Sequence, residues 1–214
     1  MKRIHKDQTY GIFMTPVTRY SMSEWVQPIK DWADLQQILE PACERSPNCK
    51  NIKQIGKTNK ILKDLPELRH DLLEIVRDHN ESSIKYNVDF DIVKCYLEVG
   101  MEDSDYTDYT DYKKCQMSNW LFSGTFFINY EEGLHTPFTF IENIVRKSNF
   151  GNPPITSATP FNQMNVVVPF KQGDVLIYPN DLCNFFYKVD KHPGKVTLTF
   201  HAATKGEQSW LGEL

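Results

Sequence analysis

Gln172-Gly-Asp-Val-Leu-Ile-Tyr-Pro179 decides the fold class. Gln172-Gly-Asp174 is a turn signal, because glycine reaches backbone angles other residues avoid and aspartate bonds its own backbone. Val175–Tyr178 is a short apolar run of β-branched and aromatic character, suited to a strand. Pro179-Asn-Asp181 closes it, since proline cannot donate to a continuing ladder.

The same alternation of short strand and tight turn extends outward. Candidate strands are Val88–Val99, Leu121–Tyr130, Thr136–Ile141, Asn165–Phe170, Phe185–Val189 and Val196–Ala202. Between them lie Glu131-Glu-Gly133, Gly151-Asn-Pro-Pro154 and His192-Pro-Gly194, all turn-rich. Upstream of about residue 85 the period is helical, apart from an opening strand at Gly11–Val17. Ser21 or Ser23 caps a helix through Trp25, Val26, Ile29 and Trp32, with a further run at Leu35, Ile38 and Leu39. The clearest helix is Leu65–His79, whose apolar Leu68, Leu72, Leu73, Ile75 and Val76 recur at three- and four-residue spacing. Asp64 is its expected N-cap, just before Pro66. The reading is an α+β jelly-roll or barrel over residues 86–214, with a helical region, 1–85, packed on one sheet. No internal repeat and no Gly- or Ser-rich linker divides the chain, so one domain over 1–214 is expected.

Composition narrows the function. At 214 residues roughly 70% of the unfolded surface can be buried, so no staple is needed. No stretch approaches the ~20 apolar residues of a membrane helix, and the basic start Met1-Lys-Arg has no apolar segment behind it to make a signal peptide. A net charge of −4 argues against nucleic acid as main partner. Five cysteines, an odd number without a CxxC pair, read as free thiols in a reducing compartment. The expected location is cytoplasmic, or virion for a viral protein. The acidic stretch 101–112, with its Asp-Tyr-Thr repeat, reads as a solvated loop, and its tyrosines could equally give contact area to a protein partner.

The order of landmarks resembles the iron- and 2-oxoglutarate-dependent oxygenases, including prolyl-hydroxylase-like members and phage oxygenases. Ile12-Phe-Met-Thr-Pro-Val17 is similar to their opening strand, and Phe122-Ser-Gly-Thr-Phe-Phe-Ile128 to a strand that reads Ser-Gly-Val-Tyr-Tyr there. Gln172–Pro179 resembles the Gly-Asp strand leading to the distal iron-binding histidine. Gly194-Lys-Val-Thr-Leu-Thr-Phe200 resembles the last strand, with its basic residue followed two positions on by Ser or Thr. The resemblance implies a double-stranded β-helix. It also implies iron held by two histidines and a carboxylate, and a basic side chain paired with the far carboxylate of 2-oxoglutarate.

Those implied positions are only half filled. No histidine occurs from Asn80 to Leu134. The His-x-Asp position falls on Tyr106-Thr-Asp108 in one register and on Cys115-Gln-Met117 in another, and the distal histidine position is Asn184. Lys195 and Thr197 do stand at the basic-x-Ser/Thr pair, while Phe126 and Phe127 replace the tyrosines. An amide or a phenol is a poor substitute for imidazole at iron. The remaining histidines read as ordinary: His79 a helix-end residue favoured by the dipole, His135, His192 and His201 surface or strand-end residues.

Three readings follow. The favoured one is a non-catalytic module of the oxygenase fold, structural or protein-interacting, with protein partners in a larger assembly, a phage virion component among them, and no cofactor. The alternative is an iron(II)/2-oxoglutarate dioxygenase with an atypical metal site built on Asp108, Lys195 and Thr197. The third keeps the pocket to sense an organic acid without chemistry.

Overall fold

The computed structural model describes residues 15–36, 39–41, 52–55, 59–100, 120–132, 139–141, 165–180 and 194–205. Nine strands lie among them: β1 (Thr18–Ser21), β2 (Leu39–Pro41), β3 (Ile52–Ile55), β4 (Phe90–Gly100), β5 (Phe122–Asn129), β6 (Thr139–Ile141), β7 (Asn165–Val167), β8 (Asp174–Pro179) and β9 (Val196–Thr204). Three α-helices accompany them, α1 (Val26–Gln36), α2 (Lys60–Asp64) and α3 (Pro66–His79), with a short 3-10 segment at Ser23–Trp25 and a π-helical turn at Asn80–Ile84. Seven strands form one sheet in the order β1-β8-β5-β9-β4-β3-β2, every pair antiparallel, while β6 and β7 form a separate antiparallel pair.

The helices cover one face of the large sheet. Ile29, Trp32, Leu68, Leu72 and Val76 pack against Phe122, Phe126, Ile177, Leu198 and Phe200 in one continuous core. Strand alternation sends every second side chain to that face. A register shift between Ile92 and Lys94 interrupts the alternation in β4 and leaves Val93 exposed. Before it Phe90 and Ile92 join the helix-side core; after it Cys95 and Leu97 do. The extra residue of the bulge thereby turns Lys94, Tyr96 and Glu98 to the opposite face.

Several expectations need correction. The segment before residue 85 is not all helix, because β2 and β3 extend the sheet past β4. Leu39 starts β2 rather than continuing a helical run, and Leu35 is 80% exposed at the end of α1. The opening strand forms at Thr18–Ser21, just beyond Val17, because its pairing with Asp174–Ile177 fixes where the ladder runs. No serine side chain caps the first helical segment, Ser23–Trp25, where Met22 holds the cap position. Asp64 is the last residue of α2, and Leu65 holds the α3 cap position without a side-chain bond. The Asp64 carboxylate instead accepts Trp32 Nε1–H at 2.8 Å and Lys60 Nζ at 2.6 Å. Those bonds, Lys60 first, hold its pKa below the usual carboxylate value. The strand expected at Phe185–Val189 lies outside the described residues, as do His135 and His192.

His79 departs most from its expected role. It is fully buried at the C-terminus of α3, edge-on to Phe122 at 5.1 Å, and its Nδ1 shares a 2.7 Å hydrogen bond with the Thr18 hydroxyl. Its Nε2 has no hydrogen-bond partner among the described residues. The helix dipole would favour a charged ring there, but burial dominates and lowers its pKa from the ordinary 6.5. The unfolded chain therefore binds this proton more readily than the folded one. The stabilisation is complete above about pH 6.5 and is lost as pH falls through the lowered folded-state value. The melting temperature is expected to fall on acidification from pH 7 to 5, and His79→Gln should flatten that slope; an identical slope in the variant would contradict the assignment.

Candidate functional site

The face of the sheet away from the helices is also buried, yet it is polar. Cross-strand register lays its side chains in three rows. Tyr178, Ser123, His201 and Lys94 make the first, and Leu176, Thr125, Thr199 and Tyr96 the second. Phe127, Thr197 and Glu98 make the third. Ser123, Thr125, Thr197, Thr199 and Glu98 are all buried. Buried polar groups must find partners or cost about 1–3 kcal/mol each.

Here they find one another. Thr199 Oγ1–H donates to Glu98 Oε2 at 3.0 Å, and Thr125 and Tyr178 share a hydrogen bond of 3.0 Å between their hydroxyls. Ser123 Oγ–H donates to Asn180 Oδ1 at 2.8 Å and lies 2.9 Å from His201 Nδ1. With the serine proton given to Asn180, His201 donates through Nδ1–H, which puts its lone pair on Nε2. Trp120 stacks on the His201 ring at 3.9 Å. Lys94 Nζ sits 4.9 Å from the Tyr96 ring and 5.7 Å from that of Trp120, within cation–π range.

The charge of Glu98 is felt by its neighbours. Burial pushes the Tyr96 phenol well above its usual range, and Glu98 pushes it further. Tyr178 is likewise raised by burial, with a smaller contribution from Glu98 and an opposing one from its bond to Thr125. Both phenols stay protonated, and Tyr178 uses its hydroxyl in the bond to Thr125. Cys95, on the helix side, is buried and its thiol is pushed far up by desolvation, so it is no nucleophile.

The two residues expected at a dicarboxylate site lie at the start of β9. Lys195 immediately precedes the strand, half-buried, its Nζ 6.0 Å from the Tyr130 ring. Thr197 is buried on the polar face, flanked in register by Phe127 and Glu98. Phe126 turns to the helix-side core, whereas Phe127 faces the polar side and stacks on Phe170 at 3.7 Å. Tyr106, Asp108 and Asn184, and the second register at Cys115 and Met117, lie outside the described residues. Residues 101–119 connect β4 to β5 and 181–193 connect β8 to β9, so each links the two ends of the sheet: Val99 pairs with Val196 at one end, and Phe122 with both Pro179 and Ala202 at the other. His201 and Ser123 occupy that end, and Lys195 the other end of β9.

Sequence reasoning missed Glu98, Thr199, Thr125, Ser123 and His201. A signal existed in β4, where adjacent apolar Ile92 and Val93 break the alternation. Continuing the second phase, Val93-x-Cys95-x-Leu97-x-Val99, puts Glu98 on the other face. His201, expected as an ordinary strand-end residue, lies within β9 and belongs to the polar face because it shares the parity of Thr197 and Thr199. The glycine-aspartate turn has a structural task. Gly173 has φ +89°, donates to Phe127 O at 2.9 Å and accepts Met22 N–H at 2.8 Å. Asp174 is buried, accepts Lys171 N–H at 3.0 Å and lies 3.9 Å from Arg19.

No protein-family model matches the sequence, and no curated protein matches it. Solved structures do match the fold. HygX from Streptomyces hygroscopicus, with nickel and 2-oxoglutarate bound, is 13% identical; the match covers 93% of this chain and 90% of that one at a TM-score of 0.57. An oxidoreductase of the 2OG-Fe(II) oxygenase family from Burkholderia pseudomallei is 10% identical, with 87% and 84% covered and a TM-score of 0.55. A Pseudomonas putida prolyl-4-hydroxylase is 8% identical, with 89% and 93% covered and a TM-score of 0.51. The chain thus has the fold of 2-oxoglutarate oxygenases.

Proposed function

We propose that this chain is a non-catalytic module of the oxygenase fold, a closed double-stranded β-helix in one domain over 1–214, serving as a structural or protein-interaction subunit. The observation that carries this reading is the polar face, whose side chains are hydrogen-bonded to one another: Thr199 to Glu98, Thr125 to Tyr178, and Ser123 to both Asn180 and His201. Groups engaged in this way must break those bonds before they can bind a substrate or cofactor.

The donor set supports the same conclusion. Iron(II) in such folds takes two imidazoles and one carboxylate, and the matching positions here are Tyr106, Asp108 and Asn184, with Cys115 and Met117 in the second register. Second-shell changes alone cost about 10–100-fold in metal affinity or activity, and losing both imidazoles should cost more. These residues do not fit the metal. Lys195 and Thr197 suit a carboxylate by type, but Glu98 stands directly across from Thr197, so the fit to 2-oxoglutarate also fails. Both cofactors are therefore left out of the proposal.

The expected outcome is no succinate release above background when purified protein is given iron(II), ascorbate, oxygen and 2-oxoglutarate, and less than a tenth of an equivalent of iron by elemental analysis. Turnover that is lost in Lys195→Ala would establish the dioxygenase reading instead. The structural role predicts co-purification within a larger assembly, and in its narrower form the presence of the chain in purified virions. A monodisperse monomer absent from every particle would remove it.

A further inference from the structure

We propose that Glu98 is an internal stand-in for the carboxylate of a bound dicarboxylate, so that the wild-type chain refuses 2-oxoglutarate because its own side chain already occupies the polar face. This rests on the reading above that Lys195 and Thr197 hold the dicarboxylate position.

Glu98 is 5% exposed, and a carboxylate that deep is tolerated only with hydrogen-bond donors or a countercharge. Register places it opposite Thr197, and the Thr199 hydroxyl donates to it at 3.0 Å. Thr197 and Thr199 share a face of β9, and Lys195, just before the strand, has the same parity, so the sequence Lys-x-Thr-x-Thr offers an ammonium and two hydroxyls at alternate positions. That row is a carboxylate-recognition surface, and the carboxylate lying against it belongs to β4. The bulge at Val93 makes this so: without it, Glu98 would have the parity of Phe90 and Ile92, which face the apolar helix-side core. A second carboxylate brought to the same row meets like charge in a water-poor setting, which disfavours binding of the dianion.

The test is calorimetric titration of 2-oxoglutarate into wild type, Glu98→Gln and Glu98→Gln/Lys195→Ala, with melting temperatures confirming that each is folded. Glutamine keeps an oxygen to accept the Thr199 hydroxyl and removes the charge. The expected result is no heat with wild type, binding at least tenfold tighter in Glu98→Gln, and loss of that gain in the double variant. Wild type binding as tightly as Glu98→Gln would overturn the proposal, and so would silence from both. Succinate assays on the same samples separate the two claims. Wild-type binding without turnover sinks only the role of Glu98, while wild-type turnover sinks the non-catalytic reading as well.

Discussion

Gly124→Ala is expected to destabilise the protein by about 3 kcal/mol, the upper end of the usual range for overpacking a filled core. Gly124 lies in register with Phe200 across the β5–β9 ladder, and the Phe200 ring covers the position a side chain would take. A Cβ added to Gly124 would stand 2.1 Å from Phe200 Cζ and 2.3 Å from Cε1. Such approaches are far inside van der Waals contact, so the ring must move. Phe200 is 0% exposed and packed among helix residues, which leaves it nowhere to go without shifting a helix. A loss of this size lowers the melting temperature by roughly 2–4 °C per kcal/mol in a chain this long. Gly124→Val should prevent folding.

The cause can be isolated with a double-mutant cycle. Phe200→Ala alone should cost about 3–5 kcal/mol by opening a cavity. In that background Gly124→Ala should cost less than about 1 kcal/mol, because the obstructing ring is gone. Urea unfolding of the four proteins measures the coupling. Costs that simply add would show that Gly124 is needed for some reason other than the ring above it. The glycine in the Ser-Gly-Thr run is thus a packing requirement of the sheet and says nothing about chemistry.

That distinction bears on what the sequence could reveal. β5, β8 and β9 were legible because each combines apolar alternation with a proline or glycine boundary, as at Pro179 and Gly194. Helix α3 was legible because Leu68, Leu72 and Val76 keep helical spacing over fourteen residues. β2 and β3 were not, since Leu39-Glu-Pro41 and Ile52-Lys-Gln-Ile55 are too short and polar to announce a period. They exist by pairing outward from β4, a long-range effect. The expected dicarboxylate position at Lys195 and Thr197 was read from motif order, while the residue facing Thr197, Glu98, lies ninety-nine positions earlier in the chain and owes its face to the bulge at Val93. His79 shows the same limit. Its place at a helix end was visible, but its burial against Phe122 depends on a strand forty-three residues away.

Restoring imidazole at the matching positions should restore metal affinity, and this is the largest effect expected of any variant. Tyr106→His/Asn184→His keeps Asp108 and recreates the two-histidine, one-carboxylate set in the first register. Cys115→His/Met117→Asp/Asn184→His does so in the second. One of the two should bind iron(II) near one equivalent in anaerobic titration and elemental analysis, with affinity raised by more than the ~100-fold that outer groups command. The other register serves as a control, because a histidine-carboxylate pair in the wrong register cannot converge with position 184 on one ion. Binding by neither, with melting temperatures intact, would mean that the chain never aligned with the metal-bearing positions and that its fold likeness stops at the sheet. Iron in the wild type would mean that ligands other than imidazole suffice. Metal capture should be indifferent to Glu98→Gln, since the Glu98 carboxylate lies across from Thr197, accepts the Thr199 hydroxyl, and is not one of the three ligands in either register. Metal capture by one of these variants, together with 2-oxoglutarate binding by Glu98→Gln, would trace the proposed lack of chemistry to two separate changes, one in the metal ligands and one at the inward carboxylate of β4.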